Sequence, residues 1–274
     1  MVVQKISTAG GTLAVEVTGE GPLLICAHGM GDSRDVYDTF VKQMVSAGYC
    51  VANMDTRGHG ESSTGFKQHG DLAQADDFLT VVKELKKGPA VLVGNSFATG
   101  SATIAAGRKP ESIAGIVLLA PFLRNPMGAV GMFFMPLLFK WPWGSTVWRF
   151  YAPTLWPGLS KEDATARAKK TTKLITRPGR WSAFYSTVCG CDHSTVTPYI
   201  EKASKTPALI VVGDKDPDYS DPKKEAEWVA SQFQDATTLV LEGVGHAPQL
   251  ERPEETGKAT LEFLKKLKEK GVFK

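Results

Sequence analysis

The stretch VLVGNSFATG, residues 91–100, joins an apolar run to a serine and then to a segment rich in alanine and glycine. The apolar run predicts a buried strand, and the residues after Ser96 predict a helix. A tight turn between the two lifts the serine hydroxyl clear of the sheet and points the N-terminus of the helix at it. The small residue Gly94 leaves room for this turn. The pattern indicates a serine nucleophile beside backbone N–H groups that stabilise an oxyanion, although a buried serine in a helix-capping turn also fits it.

Short β-branched runs alternate with longer amphipathic segments along the rest of the chain, which is typical of a mostly parallel sheet covered by helices. The predicted strands are Leu13–Val17, Leu23–His28, Tyr49–Asp55, Ala90–Ser96, Ile113–Ala120, Ala208–Asp214 and Thr237–Glu242. The predicted helices are Val36–Ala47, Leu72–Lys87, Phe97–Arg108, Asp163–Thr172, Pro222–Phe233 and Pro253–Lys268.

The alternation stops between about residues 122 and 198, where tryptophan, phenylalanine, methionine and proline concentrate. We expect residues 123–197 to form a mainly helical cap, inserted into a main domain of residues 1–122 and 198–274. The aromatic residues either pack this cap onto the main domain or line an apolar substrate cavity beneath it. We take the following as candidate substrate-binding residues: Phe134, Trp141, Trp143 and Trp148.

Three further polar segments follow predicted strands. HGMG begins at His28, GDKD ends at Asp216, and GH ends at His246. Ligands of an open α/β sheet bind at the carboxyl ends of its strands, so Ser96, Asp216 and His246 are expected to converge there. The glycine-bracketed loop after His28 offers a second oxyanion donor, for which the N–H of Met30 is the first choice.

These motifs resemble those of the α/β-hydrolase fold superfamily over nearly the whole chain. The resemblance rests on HGMG at 28–31, DTRGHGES at 55–62, GNSFA at 94–98, GDKDP at 213–217 and GHAPQLERP at 245–253. It implies an α/β fold with a mostly parallel eight-stranded sheet, flanking helices and an inserted helical cap. It also implies a nucleophile at Ser96, an orienting acid at Asp216, a base at His246, and oxyanion N–H groups at Met30 and Phe97.

The choice of the acid also rests on the resemblance. In the family's GxxD pattern the acid lies three residues after the glycine, which selects Asp216 over its rival Asp214. Asp218 and Asp221 are weaker rivals, and we expect them to cap the helix that begins near Pro222.

The implied activity is hydrolysis of an ester or lactone of an apolar small molecule through an acyl-enzyme, with no metal and no organic cofactor. A serine at position 96 argues against the dehalogenase and epoxide-hydrolase branches, which use aspartate there. Three alternatives stay open: a carbon–carbon bond hydrolase of ring-cleavage products, whose sequences GNSF resembles; a small-molecule receptor that keeps the triad; and an acyltransferase.

Composition limits the kinds of partner that we expect. The 274 residues are 42% hydrophobic and 22% charged with a net charge of +3, which gives no reason to expect a nucleic-acid partner.

The apolar stretch Met127–Phe139 is too short to span a bilayer, and we expect it to be a buried face of the cap. Cys189 and Cys191 lie near His193, but no second ligand pair with zinc-site spacing follows. With four cysteines and no visible secretory signal, we expect a reducing, cytoplasmic setting. No signal for an oligomeric state is present.

Overall fold

An eight-stranded sheet forms the centre of the computed structural model, which describes residues 2–273. The strands are β1 (Val2–Thr8), β2 (Gly11–Thr18), β3 (Leu23–Ala27), β4 (Cys50–Met54), β5 (Ala90–Asn95), β6 (Ile113–Leu119), β7 (Ala208–Gly213) and β8 (Ala236–Leu241). Their spatial order is β1-β2-β4-β3-β5-β6-β7-β8. Strand β2 is antiparallel to both β1 and β4, and all other neighbouring pairs are parallel. The predicted fold class is confirmed.

Helices pack on both faces of this sheet. They are α1 (Asp38–Ser46), α2 (Asp71–Leu85), α3 (Phe97–Arg108), α4 (Ala129–Leu138), α5 (Gly144–Tyr151), α6 (Lys161–Ile175), α7 (Arg180–Gly190), α8 (Thr197–Ala203), α9 (Pro222–Ala230), α10 (Pro248–Glu251) and α11 (Pro253–Glu269). Short 3₁₀ turns add to them at 34–37, 110–112, 152–155 and 193–196. The helix predicted over 36–47 is a 3₁₀ turn that continues into α1.

Burial explains why five of the strands stand out in the sequence. Strands β3 to β7 are buried at every residue, since helices cover both of their faces, and such strands appear as continuous apolar runs. The sequence did not predict β1 individually. This strand lies at the edge of the sheet, and within residues 3–8 only Ile6 is buried, so its sequence carries no apolar run.

Helices α4 to α8 occupy the interval between β6 and β7 in which the sequence showed no strand. The division into a main domain and a cap stays a prediction. The expectation of a buried face for 127–139 is wrong on one side of α4, where Val130 and Phe133 are 72% and 77% exposed. In the part of the chain that the structure describes, no helix is both long enough and apolar enough to cross a membrane.

A buried ion pair fixes the loop that follows β4. Arg57 donates from Nε and Nη2 to the two carboxylate oxygens of Asp77, at 2.8 and 2.7 Å, and both side chains are almost fully buried. The guanidinium also donates to the carbonyl oxygens of Gln68 and Ala73, at 2.7 Å each. Four hydrogen bonds therefore compensate the cost of removing this charge from water.

Removing one partner should strongly destabilise the fold. We expect Asp77→Asn to lower the free energy of unfolding by about 3 kcal/mol, because an unpaired buried guanidinium is left behind. Urea denaturation followed by circular dichroism measures the change. The matched control is Glu20→Gln, which breaks the exposed pair with Lys87 (3.1 Å) and should cost less than about 1 kcal/mol. Equal losses in the two variants would contradict the assignment.

Candidate active site

Ser96 occupies the turn between β5 and α3, in a strained backbone conformation. Its φ is 56°, in the left-handed region that residues with a side chain rarely adopt. The neighbouring backbone requires a small residue at Gly94, since a Cβ there would lie 2.7 Å from the carbonyl oxygen of Ala98. Ser96 N–H donates to Leu119 O of β6 at 2.8 Å, which ties the turn to the sheet. The strand, turn and helix predicted around Ser96 are present.

The loop after β3 lies directly against this turn. A Cβ on Gly29 would lie 2.9 Å from the Cβ of Ser96, so only glycine allows the two segments to approach this closely. Met30 and Phe97 both line the cavity that contains Ser96. Among the described residues, neither backbone N–H has an acceptor within the protein, which leaves both able to donate to a bound oxyanion.

His246 and Asp216 form a close pair. The Nδ1 of His246 lies 2.7 Å from Asp216 Oδ2, and the two residues are 6% and 3% exposed. The rival carboxylate of Asp214 instead accepts a 2.7 Å hydrogen bond from the N–H of Gly243. Asp216 is therefore the carboxylate that contacts Nδ1 of the imidazole, whereas Asp214 joins the loops that follow β7 and β8.

Several contacts hold the loop that carries His246. Asn95 Nδ2 donates to the carbonyl oxygen of His246 at 2.9 Å, and the His246 N–H donates to Leu155 O at 2.8 Å. The buried Glu251 carboxylate accepts the N–H groups of Gly245, Ala247 and Gly158, at 2.9, 3.1 and 2.7 Å. Sequence reasoning missed Asn95 and Glu251 as positioning residues. Both lie within quoted motifs, Asn95 in GNSFA and Glu251 in GHAPQLERP, and this position was a usable signal.

A second carboxylate approaches the other nitrogen of the same imidazole. Asp218 Oδ2 lies 3.6 Å from His246 Nε2, and Asp218 Oδ1 accepts a short hydrogen bond from the hydroxyl of Tyr151 on α5. Sequence analysis expected Asp218 to cap a helix, which is wrong, since Asp221 caps α9 by accepting the N–H of Lys224 at 3.1 Å. No hydrogen bond within residues 2–273 joins Ser96 Oγ to His246 Nε2. This nitrogen faces Asp218 in the present arrangement.

The charges around His246 favour its protonated form. Burial lowers the pKa of His246, but the carboxylates of Asp216 and Asp218 outweigh that effect and raise its pKa to about 9, with a smaller contribution from Glu251. Burial also raises the pKa of Asp218 from its ordinary value. A base must be neutral to accept a proton, so this environment sets the pH at which His246 can act.

Ser96, Asp218 and His246 open into one cavity of about 390 Å³. Apolar side chains make up most of its wall: Met30, Phe97, Phe122, Met127, Met132, Met135, Leu138, Phe139, Val147, Trp148, Leu155 and Trp156. Ser96, Asp218 and His246 lie in turns or loops that follow β5, β7 and β8. The arrangement suits an apolar small molecule with one reactive polar group.

The candidate substrate-binding residues have different positions. Trp148 lines the cavity and packs on Gly31, where a Cβ would lie 2.2 Å from the indole ring. Trp141, Trp143 and Phe134 are 63%, 47% and 49% exposed, and none of the three is part of the cavity wall. Among these four residues, therefore, the structure brings only Trp148 to Ser96.

Residues 24–259 match the family described as the alpha/beta hydrolase family. The chain belongs to this family. A 2-(acetamidomethylene)succinate hydrolase from Mesorhizobium japonicum is 30% identical over 119 residues, which span 42% of this chain and 41% of that protein. A protein of Oryza sativa subsp. japonica named as a probable esterase is 26% identical over 254 residues, 88% of this chain and 91% of its own length. A similar solved structure, an esterase from Thermogutta terrifontis, has a TM-score of 0.80 at 23% identity and covers 97% of this chain and 99% of its own.

The pKa of His246 predicts the pH dependence of this α/β hydrolase. We expect kcat/KM for an ester to fall as the pH drops below about 9, because the imidazolium cannot accept a proton. Asp218→Asn removes a negative charge beside the imidazole, which lowers the pKa of His246 and moves the acid limb of the profile to lower pH by roughly one unit. Steady-state hydrolysis between pH 5 and pH 10 measures the shift.

Asp221→Asn is the matched control for this measurement. Asp221 is partly exposed and caps α9, so its loss should leave the acid limb in place. If Asp218→Asn leaves the midpoint of the acid limb unchanged or raises it, the Asp218 carboxylate does not raise the pKa of His246.

Proposed function

We propose that the chain is a serine hydrolase that cleaves an ester or lactone bond of an apolar small molecule through Ser96, His246 and Asp216. The observation that carries this proposal is the 2.7 Å contact between His246 Nδ1 and Asp216 Oδ2, made in the same cavity as a serine at a left-handed turn. This combination of an orienting carboxylate, an imidazole and a helix-terminal serine is the one that activates a hydroxyl as a nucleophile.

The proposed first step forms the acyl-enzyme. Ser96 Oγ attacks the substrate carbonyl carbon while His246 Nε2 takes the hydroxyl proton, and Asp216 stabilises the resulting imidazolium. The carbonyl π electrons move onto oxygen, where the N–H groups of Met30 and Phe97 donate to the oxyanion. As the carbonyl re-forms, the carbon–oxygen bond to the leaving group breaks and His246 returns the proton to the departing alkoxide.

Water completes the cycle. His246 takes a proton from water, whose oxygen attacks the acyl carbon, and Ser96 leaves as the alcohol. An ordinary ester releases an alcohol and then an acid. A lactone keeps its alcohol attached to the acyl group, so its single product is a hydroxy acid. The first step requires a hydrogen bond between Ser96 Oγ and His246 Nε2, a nitrogen that lies 3.6 Å from Asp218 Oδ2 in the present structure.

Residues 123–197 act, in this proposal, as the cap over the reacting groups. Support comes from Trp148 and Phe139, which line the cavity, and from Leu155 and Gly158, whose backbone groups bind the His246 loop and Glu251. The predominantly apolar wall favours an apolar acyl or alcohol part. Similarity to a probable esterase over most of the chain supports the same class of substrate.

Loss of the hydroxyl should abolish turnover. In Ser96→Ala we expect hydrolysis of p-nitrophenyl esters to fall by roughly 10³-fold or more, because the whole catalytic unit depends on the nucleophile. A fluorophosphonate should label wild type at Ser96 alone, as located by mass spectrometry of the digested protein. Ser231→Ala, at an exposed position at the end of α9, is the control and should keep both properties.

Other outcomes of the same experiment select an alternative. Slow single turnover that ends in a stable complex would indicate a small-molecule receptor instead of an enzyme. Faster acyl capture by an added alcohol than by water would indicate an acyltransferase. Cleavage of a ring-cleavage product without ester turnover would identify a carbon–carbon bond hydrolase. Absence of labelling and turnover in folded protein would overturn the catalytic proposal.

The cavity wall predicts acyl-chain preference. Phe139 is half-buried, and its ring centroid lies 6.0 Å from those of both Trp148 and Phe184. Phe139→Ala should enlarge the cavity and raise the ratio of kcat/KM for p-nitrophenyl octanoate over that for the butyrate by roughly tenfold. A change of this size corresponds to one or two additional methylene groups held in an apolar pocket. Phe150→Ala is the control, since Phe150 is 74% exposed and lies outside the cavity wall. An equal change in both variants would show that the ratio does not report the cavity.

A further inference from the structure

A second group of nucleophile, imidazole and carboxylate lies in the same cavity. Cys191 Sγ is 3.4 Å from His193 Nε2, and His193 Nδ1 is 2.9 Å from Asp71 Oδ2. His193 and Asp71 are 1% and 2% exposed, while Cys191 is half-buried. Cys191 and His193 both line the cavity that contains Ser96. The hydrolytic mechanism uses none of these three side chains.

Contacts of both its backbone and its ring hold His193. The backbone N–H of His193 donates to Asn125 Oδ1 at 2.8 Å, and the Phe122 ring stacks on the imidazole with centroids 5.4 Å apart. Asp71, the first residue of α2, is also 3.4 Å from Ser101 Oγ. The orientation of His193 is therefore fixed before any ligand arrives.

Electrostatics favour a positive charge next to the sulfur. Burial lowers the pKa of His193, but Asp71 and Cys191 outweigh it and raise the pKa to about 10. An imidazolium at hydrogen-bond distance stabilises negative charge on sulfur, and negative sulfur is the nucleophilic form.

The geometry also argues against a structural metal at this place. Asp71 approaches Nδ1 of His193, whereas Cys191 approaches Nε2 on the other side of the ring. A single ion cannot bind both the sulfur and the carboxylate across the imidazole. The arrangement is that of a nucleophile, a base and an orienting acid.

We propose that Cys191 is a second nucleophile of the cavity, which adds covalently to small apolar α,β-unsaturated carbonyl compounds. The Sγ electron pair forms a bond to the β-carbon of the compound, and the C=C π electrons move to the α-carbon and carbonyl oxygen as an enolate. The proton that left Sγ for His193 Nε2 then protonates the α-carbon. One C–S and one C–H bond form, one S–H bond and one C=C π bond are lost, and nothing is oxidised or reduced.

The cavity suits a small uncharged electrophile. Its wall is mostly apolar and rich in methionine and aromatic side chains, and its volume is about 390 Å³. Polarisable sulfur reacts readily with such an activated alkene, whereas the hydroxyl of Ser96 is suited to the carbonyl carbon of an ester. In this proposal Cys191 reacts with activated alkenes and Ser96 reacts with ester carbonyl carbons in the same cavity.

Alkylation by N-ethylmaleimide tests this proposal, with Cys189 as an internal control. Cys189 is exposed and lies two residues away, at a position where His193 forms no contact with it, while Cys26 and Cys50 are buried. With limiting reagent at pH 7, timed digestion and mass spectrometry should show Cys191 labelled roughly tenfold faster than the more exposed Cys189. His193→Gln and Asp71→Asn should each slow Cys191 labelling about tenfold and leave Cys189 unchanged.

The folded state of each variant is checked by circular dichroism and by the protection of Cys26 and Cys50. Because unfolding would expose these two cysteines, their labelling identifies a misfolded variant. In that case, the ratio of the Cys191 to the Cys189 labelling rate in wild type decides the test. Ser96→Ala should keep the fast labelling of Cys191, so failure of the proposed hydrolysis leaves this result intact. Labelling of Cys191 no faster than Cys189, or an unchanged Cys191 rate in folded His193→Gln, overturns the proposal.

Discussion

Parallel pairing of the central strands is the constraint on which the site depends. Asn95 of β5 pairs with Leu119 of β6, Leu119 pairs with Val211 of β7, and Gly213 pairs with Leu241 of β8. This register brings the ends of four strands to one edge, where Ser96 and the loops carrying Asp216 and His246 leave the sheet. A slip of one residue in β5 would turn Ser96 to the other face and separate it from the imidazole. The hydrogen-bond ladder is therefore what brings these three segments, which are far apart in sequence, to the same edge of the sheet.

The sheet alone does not fix His246. Its backbone N–H donates to Leu155 O, and the Glu251 carboxylate that holds the same loop also accepts the N–H of Gly158. Tyr151 reaches the imidazole indirectly through Asp218. These three residues fall within 151–158, from the last residue of α5 to the stretch before α6, so this short segment both lines the cavity and holds the loop that carries His246. A displacement of the segment would therefore change the position and the protonation of His246 together, even with the sheet unchanged.

The sequence predicted those features that depend on local pattern. Strands β3 to β7 appear as buried apolar runs, β2 and β8 were found from their β-branched residues, and the turn at Ser96 needs small neighbours. Seven strands and the position of this serine were therefore accessible before the structure. The edge strand β1 and the contact between His193 and Asp71, 122 residues apart, were not, since neither leaves a local pattern. Aromatic content marked the inserted segment but did not say which way each ring points. Trp148 lies at the cavity, whereas Trp141 and Phe134 face outward, because short helices without a regular apolar stripe give no orientation from sequence.

Three buried histidines differ in protonation because burial and a neighbouring carboxylate shift the pKa in opposite directions. His59, His193 and His246 are 2%, 1% and 6% exposed. Burial lowers the pKa of His59 to about 3, and its Nε2 accepts the N–H of Gly31 at 3.0 Å, so it shapes the loop of Met30 as a neutral ring. An aspartate at Nδ1 reverses the outcome for the other two, whose pKa values rise to about 10 and about 9. The Phe122 ring contacts both imidazoles, with centroid distances of 5.4 Å to His193 and 5.6 Å to His246. The proposed roles of the two imidazoles need opposite states, since His246 must be neutral to take the proton of Ser96, whereas a protonated His193 stabilises negative charge on sulfur.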